Sequence, residues 1–332
     1  MCRFKRQKCG DNLLALSKPP PKLLLFLSAD VHNSTAFKND LRHDGSVQGW
    51  LATFKTFYSR FPIFLARKCT SRRVVAPVLW KLLGDELIFA VELKKSEEAV
   101  SYVQSLREAI TQYNADWKRK NVELALKGTA WVAHFPVFNA EIQIKEPNDA
   151  NKFRVDYIGP AMDIGFRLAR LASKRKLIVS VDLALMLLHT NNDLRVFFDG
   201  RETLKGALHN KPYPVIWVDV LVEGKGSPED ELRGIHPSQN KLKKYCEAFI
   251  AEMNEVMSRP FIDGDYAFNK KPDDWNKKYE RACRTMNEEE AEPTFHPSQK
   301  SNPKSSEKAT AEKFFQQAAQ QFLDDLKSNK GK

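Results

Sequence analysis

The chain of 332 residues has few cysteines and no long hydrophobic run. The cysteines are Cys2, Cys9, Cys69, Cys246 and Cys283. Their odd number, wide spacing and lack of a CxxC pair disfavour a disulfide framework and a structural zinc site, and predict a reducing, cytoplasmic location. The longest apolar run, Leu183 to Leu188, is far shorter than the ~20 residues that cross a bilayer. A basic start that runs into Pro19-Pro20-Pro21 predicts no secretory signal.

What the sequence has in excess is positive charge. Lys and Arg number 53 against 42 Asp and Glu, which gives a formal charge of +11. Such a charge fits a nucleic acid, a membrane surface or an anionic small ligand. Because the basic residues are spread along the chain, we interpret most of them as solvated surface and expect no nucleic-acid and no membrane partner. A hydrophobic content of 42% is that of an ordinary globular protein.

Residues 1–21 form a basic arm in our prediction, and residues 22–222 carry a dense mixture of strand and helix patterns. Predicted strands are Leu23–Ser28, Val78–Leu83, Glu86–Glu92, Leu124–Phe135, Phe153–Ile158, Leu177–Val181 and Pro214–Val222. Predicted helices are Val47–Leu65, one that begins at Ser96, and Ala161–Ala172. Gly84-Asp85 between two strands is a hairpin signal. The interleaving predicts an α/β (α+β) sandwich in which helices cover a mixed sheet.

The composition changes after Val222. Residues 223–285 are predicted to be a helical extension, with an amphipathic helix from Leu242 to Met257. Residues 286–308 are polar and rich in Pro, Ser and Lys, which predicts a disordered linker. Residues 309–332 carry an amphipathic helical stripe that must bury either on the body or on a partner.

Two aspartates lie where strands end in this prediction. Asp30 follows the apolar strand Leu23–Ala29, and Asp85 lies in the hairpin turn. If the two strands are neighbours, both carboxylates project from one sheet edge, which is a site for Mg²⁺ or Mn²⁺. A polar turn then leads from Asp30 into a helix, and its backbone N–H groups could hold a triphosphate. The residues of this turn singled out for substrate binding are Asn33, Ser34, Thr35 and Phe37. An aspartate in a hairpin also serves as an ordinary turn residue, so that alternative stays open.

Four blocks in this order resemble the class III nucleotidyl cyclases over about residues 22–222. They are Phe26-Leu27-Ser28-Ala29-Asp30-Val31; Lys81 to Ala90; Asp156 to Ala172 with Leu177-Ile178-Val179-Ser180; and Leu204-Lys205-Gly206. The resemblance implies the class III cyclase catalytic fold. It also implies a homodimer with composite sites, in which the metal-binding aspartates come from one subunit and a catalytic arginine from its mate.

The resemblance implies a role for each matching residue. Asp30 and Asp85 would hold two metal ions, Mn²⁺ or Mg²⁺, together with the backbone carbonyl of Val31. The other implied roles are base recognition by Lys81 and Asp156, stabilisation of the reacting phosphorus by Arg167, and triphosphate binding by Lys205, with Lys176 as a second phosphate contact. Asp163 stands where the family has a ribose-orienting asparagine; it either takes that catalytic position or forms a buried pair with Arg167.

The segment Gly159–Arg170, in a chain with a helical tail, more narrowly resembles the pyrimidine cyclases of bacterial anti-phage (Pycsar) systems. Those enzymes make cyclic UMP or cyclic CMP, which activates a separate effector. The resemblance therefore implies conversion of UTP to cyclic UMP, with CTP and then ATP as alternative substrates, and a non-catalytic nucleotide-binding or nucleic-acid-binding protein as the alternative from another class. Hydrogen bonding by Lys81 and Asp156 does not choose the base. Trp50 either fills the space of a second purine ring or packs in the core.

Overall fold

The computed structural model describes residues 19–39, 47–146, 149–190, 192–221 and 238–288. Residues 1–18 of the predicted arm, residues 223–237 of the predicted extension, and residues 289–332, with most of the predicted linker and the final amphipathic helix, lie outside the described residues. In the described part of the chain, no helix combines the length and the apolar character needed to cross a bilayer.

The centre of the fold is a mixed sheet of seven strands in the order β2-β3-β1-β4-β7-β9-β8. The strands are β1 (Lys22–His32), β2 (Val78–Leu83), β3 (Glu86–Glu92), β4 (Ala125–Phe135), β5 (Ala140–Glu146), β6 (Asp149–Ile158), β7 (Lys176–Val179), β8 (Val196–Thr203) and β9 (Pro212–Asp219). All neighbouring pairs are antiparallel except β4 with β7, which run parallel. Strands β5 and β6 form a separate two-stranded hairpin.

Helices lie on both faces of this sheet. They are α1 (Ser34–Lys38), α2 (Val47–Ser71), α3 (Ser96–Arg119), α4 (Pro160–Leu168), α5 (Val181–His189), α6 (Gln239–Glu252) and α7 (Trp275–Glu288). Helices α2, α3 and α5 pack on one face, and buried side chains of α6, among them Leu242 and Phe249, join the same core. The fold class predicted from the sequence, a mixed sheet with covering helices, is confirmed.

Strand β1 is buried on both faces, which explains its continuous apolar run. Leu23, Leu25 and Leu27 point into the main core with α2 and α3. Leu24 and Phe26 point the other way, into a smaller aromatic cluster beneath α4. Because side chains alternate along a strand, position 30 lies on the same face as this aromatic cluster. The sheet therefore presents Asp30 to the α4 side.

The hairpin of β2 and β3 has the predicted bounds, whereas several other elements differ from prediction. Asp30 does not follow β1 but lies within it, since the strand continues to His32. The amphipathic helix expected to reach Met257 ends at Glu252, and α7 extends to Glu288, into the first residues of the predicted linker. The strands β5 and β8 and the helices α5 and α7 were not predicted; they are Ala140–Glu146, Val196–Thr203, Val181–His189 and Trp275–Glu288. Helix α5 is apolar nearly throughout because it is buried nearly throughout, so it has no amphipathic period to read.

Candidate active site

Asp30 lies between two strands that each supply a charged neighbour. In the register of the sheet it is paired with Glu86 of β3 and with Lys127 of β4. Directly opposed residues share a face, so all three side chains lie together. The Lys127 ammonium nitrogen is 2.9 Å from one carboxylate oxygen of Asp30. The sequence patterns did not point to Lys127. Its one distinguishing feature in the sequence is that it is the single lysine or arginine in a largely apolar strand.

The hairpin turn brings Asp85 to the same place. Gly84 has a φ of +66°, in the left-handed region that glycine adopts without strain, and it stands at the first central position of the turn, where hairpins of two residues favour glycine. The backbone N–H of Val31 donates to the carbonyl oxygen of Asp85 at 3.3 Å. Because Val31 follows Asp30, this hydrogen bond joins the turn to the end of β1.

Both aspartates consequently line one open cleft of about 460 Å³. The other lining residues are Val31, His32, Asn33, Ser34, Thr35, Ala36 and Lys127. Asn33 adopts a left-handed conformation with φ 64° before α1, and the N–H of Phe37 donates to the Asn33 carbonyl at 3.0 Å. The amides of residues 34–36 precede the first amide bonded within this helical turn, so they have no partner within the helix itself. Phe37 itself packs against the main core instead of lining the cleft.

The lining of the cleft has more acidic side chains than lysines or arginines. Glu86 lies beside the two aspartates and accepts a hydrogen bond from the Ser28 hydroxyl. Burial raises the pKa of Glu86, and the charges of Asp30 and Asp85 raise it further. Burial, Lys174 and Lys127 lower the pKa of His32, against an opposing effect of Asp30. Among the lining residues, the two carboxylates of Asp30 and Asp85 face one lysine, Lys127, and paired carboxylates favour a bound cation.

The donor atoms of this cleft fit a hard divalent cation. Carboxylate and carbonyl oxygens are the ligands that Mg²⁺ and Mn²⁺ prefer. Among the described residues, no group of three or more His, Cys, Asp or Glu side chains has a metal-binding arrangement. Asp30 and Asp85 would thus bind such an ion together with oxygens from another source, such as the Val31 carbonyl, water or phosphate. This is the usual situation for ions that accompany a phosphate substrate.

A second polar pair joins the central sheet to the β5–β6 hairpin. The Lys81 ammonium is 2.6 Å from a carboxylate oxygen of Asp156 on β6, and that oxygen also accepts from the backbone N–H of Tyr157. A register shift in β2 places Trp80 as an extra residue before Lys81. The Trp80 indole N–H donates to the Val155 carbonyl at 3.0 Å, which ties β2 to β6. The structure therefore brings together the two residues for which the resemblance implies base recognition.

Helix α4 carries Asp163 and Arg167 across the aromatic cluster. Its buried face includes Met162, which packs with the aromatic cluster on Phe26 and Trp131. Arg167 is half-buried, whereas Asp163 is exposed. No ion pair joins them in the described part of the chain, so the alternative of a buried Asp163–Arg167 pair is not seen in this structure.

The remaining predicted site residues lie apart from the Asp30–Asp85 cleft. Arg167 and Lys205 are not among its lining residues, and Lys205 is exposed in a turn. Lys176 forms an ion pair with Asp199 and lies 5.1 Å from the ring centre of Trp217, so its charge is already engaged.

Trp50, assigned to the base pocket or to the core, is half-buried near the start of α2. Its ring meets the ring of Phe54 edge to face, with the centroids 6.0 Å apart, and packs against the main core. Trp50 does not line the Asp30–Asp85 cleft. These contacts fit the alternative in which Trp50 packs in the core.

Comparison with protein-family profiles gives no match, and comparison with curated proteins gives none either. Solved structures of cyclases are similar to this chain. The adenylyl cyclase CyaB from P. aeruginosa has 12% identity and a TM-score of 0.47, covering 60% of this chain and 94% of that one. The guanylyl cyclase Cya2 has 14% identity and a TM-score of 0.43, covering 63% and 95%. The guanylate cyclase domain of RhGC from Catenaria anguillulae, in complex with GTP, has 11% identity and a TM-score of 0.45, covering 60% and 98%.

Proposed function

We propose that the protein is a nucleotidyl cyclase that converts a nucleoside triphosphate, with UTP favoured, to a 3′,5′-cyclic nucleotide and pyrophosphate. The observation that carries the proposal is the cleft in which Asp30 and Asp85 lie beside the polar turn and Lys127. Two carboxylates in a cleft, next to the amides of a helix's first turn and an ammonium, fit a triphosphate with its divalent ions. Mn²⁺ or Mg²⁺ bound there would neutralise the phosphates and favour ionisation of the ribose 3′-hydroxyl.

The residues of the chain would orient substrate and stabilise charge. In the reaction the ribose 3′ oxygen bonds to the α-phosphorus, the bond from that phosphorus to the bridging oxygen breaks, and the 3′ proton leaves to solvent while pyrophosphate departs. Asp30 and Asp85 would hold the ions. Lys127, which lies 2.9 Å from Asp30, would donate to a phosphate oxygen of a substrate bound beside the aspartates. The amides of residues 34–36 add further donors.

Lys81 and Asp156 supply one donor and one acceptor for a base. Uracil presents a carbonyl to the lysine and its N3–H to the carboxylate, while cytosine and adenine each present a ring nitrogen and an amino group. The pair therefore accepts all three bases. The choice of UTP, with CTP and then ATP as alternatives, is supported by the sequence resemblance of Gly159–Arg170 to pyrimidine cyclases. The same resemblance supports a role in anti-phage defence, in which the cyclic nucleotide activates a separate effector.

A second copy of the chain would complete the site. Arg167 and Lys205, the residues assigned to the phosphates, do not line the cleft that holds the aspartates. Large apolar side chains are also exposed by 50% to 71% on β2 and on the β5–β6 hairpin. They are Val78, Leu82, Ile144, Phe153 and Ile158. Exposed apolar side chains of this size favour an interface, and a homodimer would both cover them and deliver Arg167 to the partner's cleft.

The direct test incubates the purified protein with each of the four nucleoside triphosphates and Mn²⁺ and identifies products by mass spectrometry. We expect cyclic UMP as the main product, with turnover reduced at least ~100-fold in Asp30→Asn, because the amide removes an anionic metal ligand without changing shape. Asp263→Asn, an exposed aspartate in a distant loop, is the matched control and should retain full activity. Cyclic AMP as the main product would refute the pyrimidine assignment. The absence of any cyclic product from folded protein would refute the proposed cyclase activity.

A further inference from the structure

Tyr58 of α2 links the main-core helices to the turn that carries Asp85. Its hydroxyl donates a hydrogen bond to the backbone carbonyl of Gly84, the residue before Asp85. On the other side of the turn, the Val31 N–H donates to the Asp85 carbonyl. Neither hydrogen bond belongs to the ladder between β2 and β3. The turn is thus held by two contacts from outside its own hairpin.

Gly84 and Asp85 themselves lie beyond the ladder, whose last pairs are Leu83 with Glu86 and Asp30 with Glu86. A methyl group added at Gly84 would meet no atom within 4 Å, so no side chain covers the turn there. The neighbouring Leu82 and Leu83 are exposed. The Val31–Asp85 hydrogen bond, at 3.3 Å, is slightly longer than the usual 2.7–3.2 Å range for N–H···O bonds. The position of the Asp85 backbone should therefore depend on the bond from Tyr58.

The Tyr58 ring is itself firmly placed. Its centroid is 5.7 Å from that of Phe57 and 6.2 Å from that of Phe54, and both phenylalanines are buried in the main core. A hydroxyl on a ring packed in this way has a fixed position relative to the sheet. Its hydrogen bond can therefore fix the position of the Gly84 carbonyl relative to the sheet.

We propose that Tyr58 is a positioning residue that holds the Gly84–Asp85 turn where the Asp85 carboxylate can bind a divalent cation at the Asp30–Asp85 cleft. The inference rests on the proposed function, because it takes this cleft to be the cation site. Ligands of a cation must be held within about 0.5 Å of the productive geometry. Loss of the hydroxyl should therefore weaken cation binding more than it weakens the fold.

The experiment measures binding of Mn²⁺ alone to the full chain, by the loss of the free-ion paramagnetic resonance signal, in the unaltered protein and in Tyr58→Phe. Loss of one hydrogen bond predicts a dissociation constant raised about 3- to 10-fold, with a melting temperature within about 3 °C of the parent. Amide hydrogen exchange should be faster at residues 84–86 and unchanged in the core. Tyr102→Phe is the matched control, since its hydroxyl donates to the Val75 carbonyl at 3.0 Å, away from the cleft. It should leave Mn²⁺ binding unchanged.

Asp85→Ala separates failure of the inference from failure of the proposed site. If the unaltered protein binds no Mn²⁺, or binds it equally well with Asp85→Ala, the cation site itself is wrong. If binding depends on Asp85 but is the same in Tyr58→Phe as in the parent, the site stands and the role of Tyr58 is overturned. Unfolding of Tyr58→Phe would also overturn the proposal, because Tyr58 would then be a structural residue.

Discussion

Helix α4 lies directly on Trp131 because residue 165 has no side chain, and this close approach makes Gly165→Ala a sharp test of how Arg167 is placed. A Cβ atom at position 165 would lie 2.3 Å from two ring carbons of Trp131. The ring cannot retreat, since it is 1% exposed and stacks on Phe26 with the centroids 5.3 Å apart. To restore ordinary contact near 3.5 Å, helix or ring must move by about 1 Å.

Two effects of the added methyl group oppose each other. Alanine in place of glycine inside a helix stabilises by roughly 0.5–1 kcal/mol. Overpacking a close-packed core costs roughly 1–3 kcal/mol, and the upper part of that range applies where the neighbour is a rigid ring. We expect the clash to prevail and the free energy of unfolding to fall by about 1–2 kcal/mol. Activity should fall further, about 10- to 100-fold, because Arg167 lies two residues along the displaced helix.

The assay combines urea unfolding with cyclase specificity constants. Gly128→Ala is the matched control: its Cβ would lie 2.6 Å from the tip of Ile110, a flexible side chain on the other face of the sheet, so activity should be retained. Trp131→Phe, combined with Gly165→Ala, should recover part of the loss, with a coupling energy above about 0.5 kcal/mol. A Gly165→Ala variant as stable and as active as the parent would refute the reasoning.

Two further predictions concern stability at low pH and the sharing of sites between subunits. Burial lowers the pKa of His134 to about 4, and its Nε2 accepts the Phe261 N–H at 3.0 Å. Since the folded pKa lies below the unfolded value of 6.5, the unfolded state binds more protons between these values, and stability is lost as the pH falls from 6.5 to 4. Urea unfolding measures how much stability the protein loses between pH 7 and pH 4.5. We expect this loss to be smaller by about 2–3 kcal/mol in His134→Asn than in the parent. Burial raises the pKa of Asp182 to about 6, which acts in the opposite direction, but this effect is present in both proteins and drops out of the comparison. For the dimer, mixing inactive Asp85→Ala with inactive Arg167→Ala protein should restore activity, because one site of the heterodimer has both groups, and no recovery after proven subunit exchange would contradict shared sites.

The parts of the site that could be predicted are those encoded within a few residues. Gly84-Asp85 between two apolar runs specifies a hairpin through backbone conformation alone, and the structure has it at the predicted bounds. The pairing of Lys81 with Asp156 was available only through the family resemblance, since 75 residues separate them. Lys127 and Tyr58 escaped prediction because nothing in their own segments shows that Lys127 opposes Asp30 or that Tyr58 reaches Gly84.

The sequence by itself determined the alternation of strands and helices, the tight hairpin and the polar turn after β1, because each depends on local conformational preference and on which faces are apolar. Tertiary structure decided what those elements do together. The antiparallel pairing of β1 with β3 and β4 places Asp30 opposite Glu86 and Lys127. The hydrogen bond from Val31 to Asp85 then brings the two aspartates into one cleft. Strand register is set by the burial of two sheet faces at once, and that is a property of the whole core rather than of any one segment.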